Sequence, residues 1–236
     1  MKPLLLLSFC LMVTTLWAQD ETINDPNVSV RATQAFHAIE VSSGIDLYLS
    51  AGEPALAVSA RDEESRDGIR TEVRNGVLRI SYDWKAKGRQ GSGKELKVYV
   101  AVSTLDHLSA SGGSNVLISG GLRSDSISIS LSGGSDLHGE IDARRLAFTQ
   151  TGGSDANLTG RVGQLSIEAS GGSDFSGYDL IAENCIILAS GGSDIDITVN
   201  RELWAEATGA SDISWRGSAS VQKAKARGAG SVSHKS

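Results

Sequence analysis

Leu165-Ser166-Ile167-Glu168-Ala169-Ser170-Gly171-Gly172-Ser173-Asp174-Phe175-Ser176-Gly177 holds the strand, corner and strand start of one structural period of this chain. Before the glycines, Leu165, Ile167 and Ala169 alternate with Ser166 and Glu168, the period-two pattern of a strand with one face buried. Gly171-Gly172-Ser173-Asp174 breaks the pattern, and it resumes at Phe175. The tetrapeptide recurs as Gly112-Gly113-Ser114-Asn115, then at Gly133 to Asp136, Gly152 to Asp155 and Gly191 to Asp194. Gly209-Ala210-Ser211-Asp212 is a weaker copy, and Gly228-Ala229-Gly230-Ser231 a decayed one. A spacing near 20 residues marks a solenoid.

The columns within the repeat give this spacing a physical meaning. Six, four and two residues before each glycine pair stand Ile127/Ile129/Leu131, Leu146/Phe148/Gln150, Leu165/Ile167/Ala169, Cys185/Ile187/Ala189 and Leu203/Ala205/Ala207. All but Gln150 are apolar or Cys. After the corner follow Val116, Leu137, Ala156, Phe175, Ile195 and Ile213, and two residues later Ile118, Gly139, Leu158, Gly177, Ile197 and Trp215. Each repeat therefore reads as a strand, a Gly-Gly-Ser-Asp corner, a second strand and a looser turn. Equivalent strands would stack in parallel about 4.8 Å apart, because one coil cannot bury its own face alone. The expected fold is all-β, a parallel β-helix, with right-handed coiling from the handedness of parallel crossovers. Glycine pairs and a period of two oppose a helical solenoid.

Residues 28–111 are less regular. Ile45 to Leu49, Val77 to Ile80 and Leu96 to Val100 alternate, and Asn75-Gly76 signals a hairpin between Thr71–Arg74 and Val77–Ile80. Asp62 to Asp67 fits one helical turn, and Lys85 to Lys94 reads as an exposed loop. No Pro-rich linker separates this part from the repeats. The expected organisation is one β-helical domain over 28–236, irregular over 28–111 and regular over 112–231.

Composition agrees. Among 236 residues only 5% are aromatic, so Leu, Ile, Val and Ala must fill many thin layers. With 22 Lys+Arg against 28 Asp+Glu the net charge is -6, which opposes a general nucleic-acid binder and a polybasic route to membranes. Lys2, the apolar run Leu4 to Trp17 and Ala18-Gln19-Asp20 have the layout of a secretory signal peptide, too short for a typical membrane span. Cleavage is expected after Ala18, although Leu16 is large for its place, leaving 19–27 as a flexible segment. Loss of Lys2 makes the mature charge about -7. Cys10 follows the bulky Phe9, which opposes lipoprotein processing. The mature chain then has a single cysteine, Cys185, with no intramolecular disulfide and an interior place in its column.

Three blocks together carry a resemblance: Ser42-Ser43-Gly44-Ile45-Asp46, Asn75-Gly76-Val77-Leu78-Arg79-Ile80 and the Gly-Gly-Ser-Asp ladder. Over nearly all of the mature chain the sequence resembles the putative auto-transporter adhesin, head GIN domain family (DUF2807). The resemblance implies a β-helical fold, export from Gram-negative cells and a role in cell adhesion. It implies no catalytic residues.

Asn115, Asp136, Asp155, Asp174, Asp194 and Asp212 would stack as a column at the corners. Two readings stand. Ca²⁺, a hard cation that takes oxygen ligands, could bridge the carboxylates, or each Asp could accept hydrogen bonds from turn N–H groups. Calcium-binding β-rolls repeat every nine residues with another Gly between, which favours the turn reading. His37, His107, His138 and His234 have no metal-ligand spacing. On the outer face, Ile186, Leu188 and Trp204 replace the polar residues of earlier coils. They form a candidate contact patch, unless an N-terminal strand or the C-terminal tail covers them. Lys223-Ala224-Lys225-Ala226-Arg227 would discourage strand addition at an otherwise open end, where homo-oligomers could form.

The expected function is that of an exported, non-enzymatic binding protein. Its place would be the periplasm, the outer-membrane surface or the medium, and its partner a protein or glycan at the cell surface. The alternative is a carbohydrate-active enzyme, a polysaccharide lyase or hydrolase built on the β-helix, which would need carboxylates or a basic residue clustered on one outer face.

Overall fold

The computed structural model describes residues 25–84 and 95–236. The expected signal segment, Cys10 and the expected loop at 85–94 lie outside the described residues. The described residues are 69% strand and 3% helix. β1 (Ser29–Arg31), β2 (Ala38–Val41), β3 (Asp46–Ala51) and β4 (Ala55–Ser59) lead to helix α1 (Glu63–Gly68). β5 (Ile69–Arg74), β6 (Val77–Tyr82), β7 (Lys97–Val102), β8 (His107–Ala110) and β9 (Asn115–Ser119) follow. The strands then lengthen: β10 (Leu122–Ser132), β11 (Asp136–Gly152), β12 (Asp155–Gly171), β13 (Asp174–Ala189) and β14 (Asp194–Gly209). β15 (Asp212–Arg216), β16 (Ser220–Gly228) and β17 (Ser231–His234) complete the order.

The result is a parallel β-solenoid of about seven turns, with stacked coils about 19 residues apart. Leu146, Leu165, Cys185 and Leu203 lie in register across β11 to β14, as do Phe148, Ile167, Ile187 and Ala205. All of these side chains are buried. Each contributes about 1.5–3 kcal/mol when a large aliphatic is withdrawn from water. Phe148 and Phe175 meet edge to face across the interior, ring centroids 5.0 Å apart, so few rings suffice to fill the slab. The looser turn does not interrupt the strands: β11, β12, β13 and β14 each run through it from one Gly-Gly corner to the next.

The corner shows why the first glycine of the pair recurs while the second drifts to Ala. Gly171 has φ +87°, and a Cβ there would stand 2.6 Å from the Gly152 carbonyl oxygen of the coil before. A Cβ on Gly172 would meet nothing within 4 Å. Only the first position combines a left-handed backbone with close approach to the neighbouring coil.

The N-terminal half belongs to the same stack but enters it out of order. β2 pairs in parallel with both β6 and β8, and β3 with both β7 and β9. The β6–β7 coil therefore lies outside the β2–β3 coil, although it comes later in sequence. β5 then pairs antiparallel with β6, and β4 with β7, with β1 antiparallel beyond β4. These antiparallel strands seal that end of the core. The hairpin forms at Asn75 (φ 52°) and Gly76 (φ 78°), and Asp62 caps α1 by accepting the Ser65 N–H at 2.7 Å.

This order exposes a corner that the repeat count passes over. Val41 aligns with Ala110 and Asp46 with Asn115, which sets Ser43-Gly44-Ile45-Asp46 on Gly112-Gly113-Ser114-Asn115. Ser43 (φ 77°) and Gly44 (φ 71°) share the left-handed backbone of Gly112 and Gly113.

Candidate functional site

The corner divides its two polar residues between inside and outside. Ser114, Ser135, Ser154, Ser173, Ser193 and Ser211 are all wholly buried, and a buried hydroxyl must be hydrogen-bonded. Within their own coils, Ser154 donates to the Thr151 carbonyl at 3.0 Å, Ser173 to Ser170 at 2.9 Å, Ser193 to Ser190 at 3.0 Å and Ser211 to Thr208 at 3.0 Å. Between coils, the Oγ atoms accept N–H groups from the coil before: Ser114 donates to Ser135 at 3.2 Å and Ser193 to Ser211 at 3.4 Å. Ile45 donates likewise to Ser114 at 3.3 Å. The serines form an internal spine of hydrogen bonds.

The Asp column runs along the outside of that spine. Asp155, Asp174, Asp194 and Asp212 stand in register on successive coils, and Asp136 lies beside Asn115. Their backbone N–H groups serve the stack: Asp174 donates to Ser154 O at 3.3 Å and Asp194 to Ser173 O at 3.2 Å. The carboxylates face outward. Burial and the carboxylates of Asp155 and Asp194 on either side push the Asp174 carboxyl above its ordinary value, as like charges in one column must. Neutral donors bracket the column. The Asn115 side-chain amide donates to Asp46 at 2.9 Å, and the Ser231 hydroxyl to Asp212 at 2.7 Å. Asp46 is thus an outer member of the ladder that spacing did not find, because its stacking partner is 69 residues away. Among the described residues no group of three or more His, Cys, Asp or Glu is placed to hold a metal ion.

Cys185 is buried, and its burial pushes the thiol far above the usual cysteine range. The His37 Nδ1 lies 3.0 Å from both Asp106 carboxylate oxygens on the surface. His234 packs against Trp215, ring centroids 4.2 Å apart, while His138 is exposed. One interior position stands out. Gln150 is wholly buried in the column between Leu131 and Ala169, and neither amide atom meets a partner among the described residues.

On the outer face, Ile186 is 51% and Leu188 40% exposed. Trp204 follows Ile186 in register, and Lys223 follows Trp204. The Lys223 ammonium sits 4.1 Å above the indole and 2.9 Å from the Glu206 carboxylate, so the last coil roofs the tryptophan. Leu188 stands between Glu168 and Glu206. Ile186 and Leu188 remain open to solvent.

At the looser turn, columns that the sequence reading passed over come together. Arg123, Asp142 and Arg161 follow one another in register, with Asp125 and Arg144 beside them. Their common spacing of 19 residues was the available signal.

Residues 35–234 match the model of the family described as "Putative auto-transporter adhesin, head GIN domain". Among solved structures, a "putative adhesin" from Bacteroides fragilis superposes with a TM-score of 0.81 at 20% identity, over 89% of this chain and 98% of that one. A "putative lipid binding protein" from Parabacteroides distasonis gives 0.68 at 18% identity, covering 90% and 98%. A "putative adhesin" from Parabacteroides merdae gives 0.65 at 18% identity, with the same coverage. At these identities the likeness is one of fold. No curated protein gives a significant match to the sequence.

Proposed function

The chain belongs to the family of auto-transporter adhesin head GIN domains, and from this premise we propose that it is an exported, non-enzymatic surface protein whose solenoid displays side chains to an external partner. Membership supports an adhesin-like surface protein. The observation that carries the finer reading is the division of labour within each coil. Apolar columns, serine spine and glycine corner are spent on the fold, while the outward positions of the long stacked strands β10 to β14 stay half-buried or exposed. Stacked coils then present outward residues at about 4.8 Å intervals on a rigid lattice, and such a lattice suits an extended partner. No helix of the described residues is long and apolar enough to cross a membrane.

The test expresses the full chain in a Gram-negative host. The product should leave the cytoplasm with an intact mass that begins at Gln19, and beads coated with it should adhere to a glycan- or protein-bearing cell layer. Incubation with polysaccharides should release neither reducing ends nor unsaturated sugars. A chain that stays in the cytoplasm with Met1 in place overturns export, and release of sugar products restores the carbohydrate-active alternative.

A further inference from the structure

The protein is acidic overall, yet one bend of its stack is locally basic. An open groove of about 540 Å³ lies over the looser turns of three successive coils, lined chiefly by Arg123, Asp125, Asp142, Arg144 and Arg161. The two carboxylates are already engaged. Asp125 is gripped by Arg144, whose Nε and Nη2 both lie at 2.7 Å, and Arg145 reaches it at 3.6 Å. Asp142 accepts the backbone N–H of Arg161 at 3.1 Å. The Arg161 guanidinium makes no ion pair among the described residues. That of Arg123 stands 3.8 Å from Asp142, with its side chain 89% exposed.

Arg123 and Arg161 thus flank Asp142, one coil to each side. They are two strand spacings apart, about 10 Å, which is comparable to the length of a disaccharide. A guanidinium offers a planar fork that fits a carboxylate or sulfate through two parallel hydrogen bonds. The groove is open to solvent, and it is lined by five charged side chains with Ser124 and Ala143 and no aromatic side chain, the aliphatic stems of the arginines facing it as well as their charged heads. It therefore suits a hydrated, extended chain better than a buried base or apolar side chain. Resting on the adhesin-like reading above, we propose that this groove binds an acidic glycan, with Arg123 and Arg161 each holding a carboxylate or sulfate on alternate sugars of one chain.

The experiment measures retention of the full-length expression product on immobilised polygalacturonate, on dextran sulfate and on neutral dextran. Retention is expected on either or both acidic polymers, weakening as salt rises, and not on neutral dextran. The double variant Arg123→Gln/Arg161→Gln should lose about tenfold in affinity with its melting temperature unchanged, since both side chains are exposed. Lys223→Gln/Lys225→Gln, on the other basic stretch, should bind like the parent. Free galacturonate should compete far more weakly than the polymer. Equal retention of the Arg double variant, loss of binding in the Lys variant, equal retention on neutral dextran, or no retention on either polyanion would each overturn the inference. If beads coated with the Arg double variant still adhere to cells as the parent does, the groove is not the adhesive site while the proposed function stands.

Discussion

Each coil bends twice, and the two bends differ in how regularly their determinants recur. At the Gly-Gly-Ser-Asp corner the determinants point inward: a left-handed glycine pressed against the coil before it, and a serine whose hydroxyl is wholly buried. At the looser turn a left-handed glycine meets the coil before it only in some coils, as at Gly160 and Gly217, and the recurring polar determinants point outward, as exposed ion pairs such as Arg144–Asp125 at 2.7 Å. Interior geometry has few substitutes, so the corner repeats almost unchanged. Exposed pairs contribute little to stability, so the facing positions drift from Arg123 through Asp142 and Arg161 to Ile181. The fold is written at one bend, and the other is free to acquire a partner.

The corner offers the largest test of this contrast. Gly171→Ala should destabilise the protein by about 3 kcal/mol, through its left-handed φ and its contact with Gly152. Gly172→Ala, one residue along, should stay within about 0.5 kcal/mol, since Ala210 already occupies the same place in a later coil. Chemical denaturation of the pair decides it. Equal losses would mean that the corner is held by the glycine pair as a unit.

A gain is expected on the strand just before a corner. Gln150→Leu replaces a buried amide with no partner among the described residues by an aliphatic of similar size. It should stabilise by about 2 kcal/mol, raising the melting temperature by about 4–8 °C. A loss of stability would show that the amide is satisfied in solution and belongs to the interior design.

The smallest effects should differ in sign between the bends. Asp174 titrates above its ordinary value through burial and its like-charged neighbours, so its charge lowers stability at neutral pH. Asp174→Asn should melt about 1 °C higher at pH 7. The advantage should fade as pH falls through the raised carboxyl range to 3.8, where the parent is neutral too. Asp125 is held below its ordinary value by the Arg144 hydrogen bond, so its charge contributes stability above 3.8 that is lost as pH falls through the lowered value. Asp125→Asn should melt slightly lower at pH 7. Shifts of the same sign would erase the electrostatic half of the comparison. A saturable rise in the parent's melting temperature with millimolar Ca²⁺, abolished by Asp174→Asn, would make the corner column a cation site.

Much of the regular half was legible because each instruction is local. Alternation puts Leu165, Ile167 and Ala169 inside, and glycine is favoured where φ turns positive against a neighbouring coil. The Asp column was legible as a column, but the corner's hydrogen-bonding partner is Ser173 and its counterparts, since only that side chain faces the interior. The outer patch was legible as residues only: Ile186 and Leu188 lie open, while Trp204 lies beneath Lys223. That contact depends on which coil comes last.

By itself the sequence determined the period, the buried columns, the corner and the family resemblance, because dihedral demands and hydrophobic alternation act over a few residues. The tertiary structure alone decided that the β6–β7 coil stacks outside β2–β3, that Ser43-Gly44-Ile45-Asp46 is a corner of the same ladder, and that Asp46 meets Asn115. It also decided that Arg123 and Arg161 flank one groove. Those pairings join residues that the chain separates by as many as 69 positions. Strand stacking is satisfied by any in-register neighbour, and only closing the end of the core selects which coil that neighbour is.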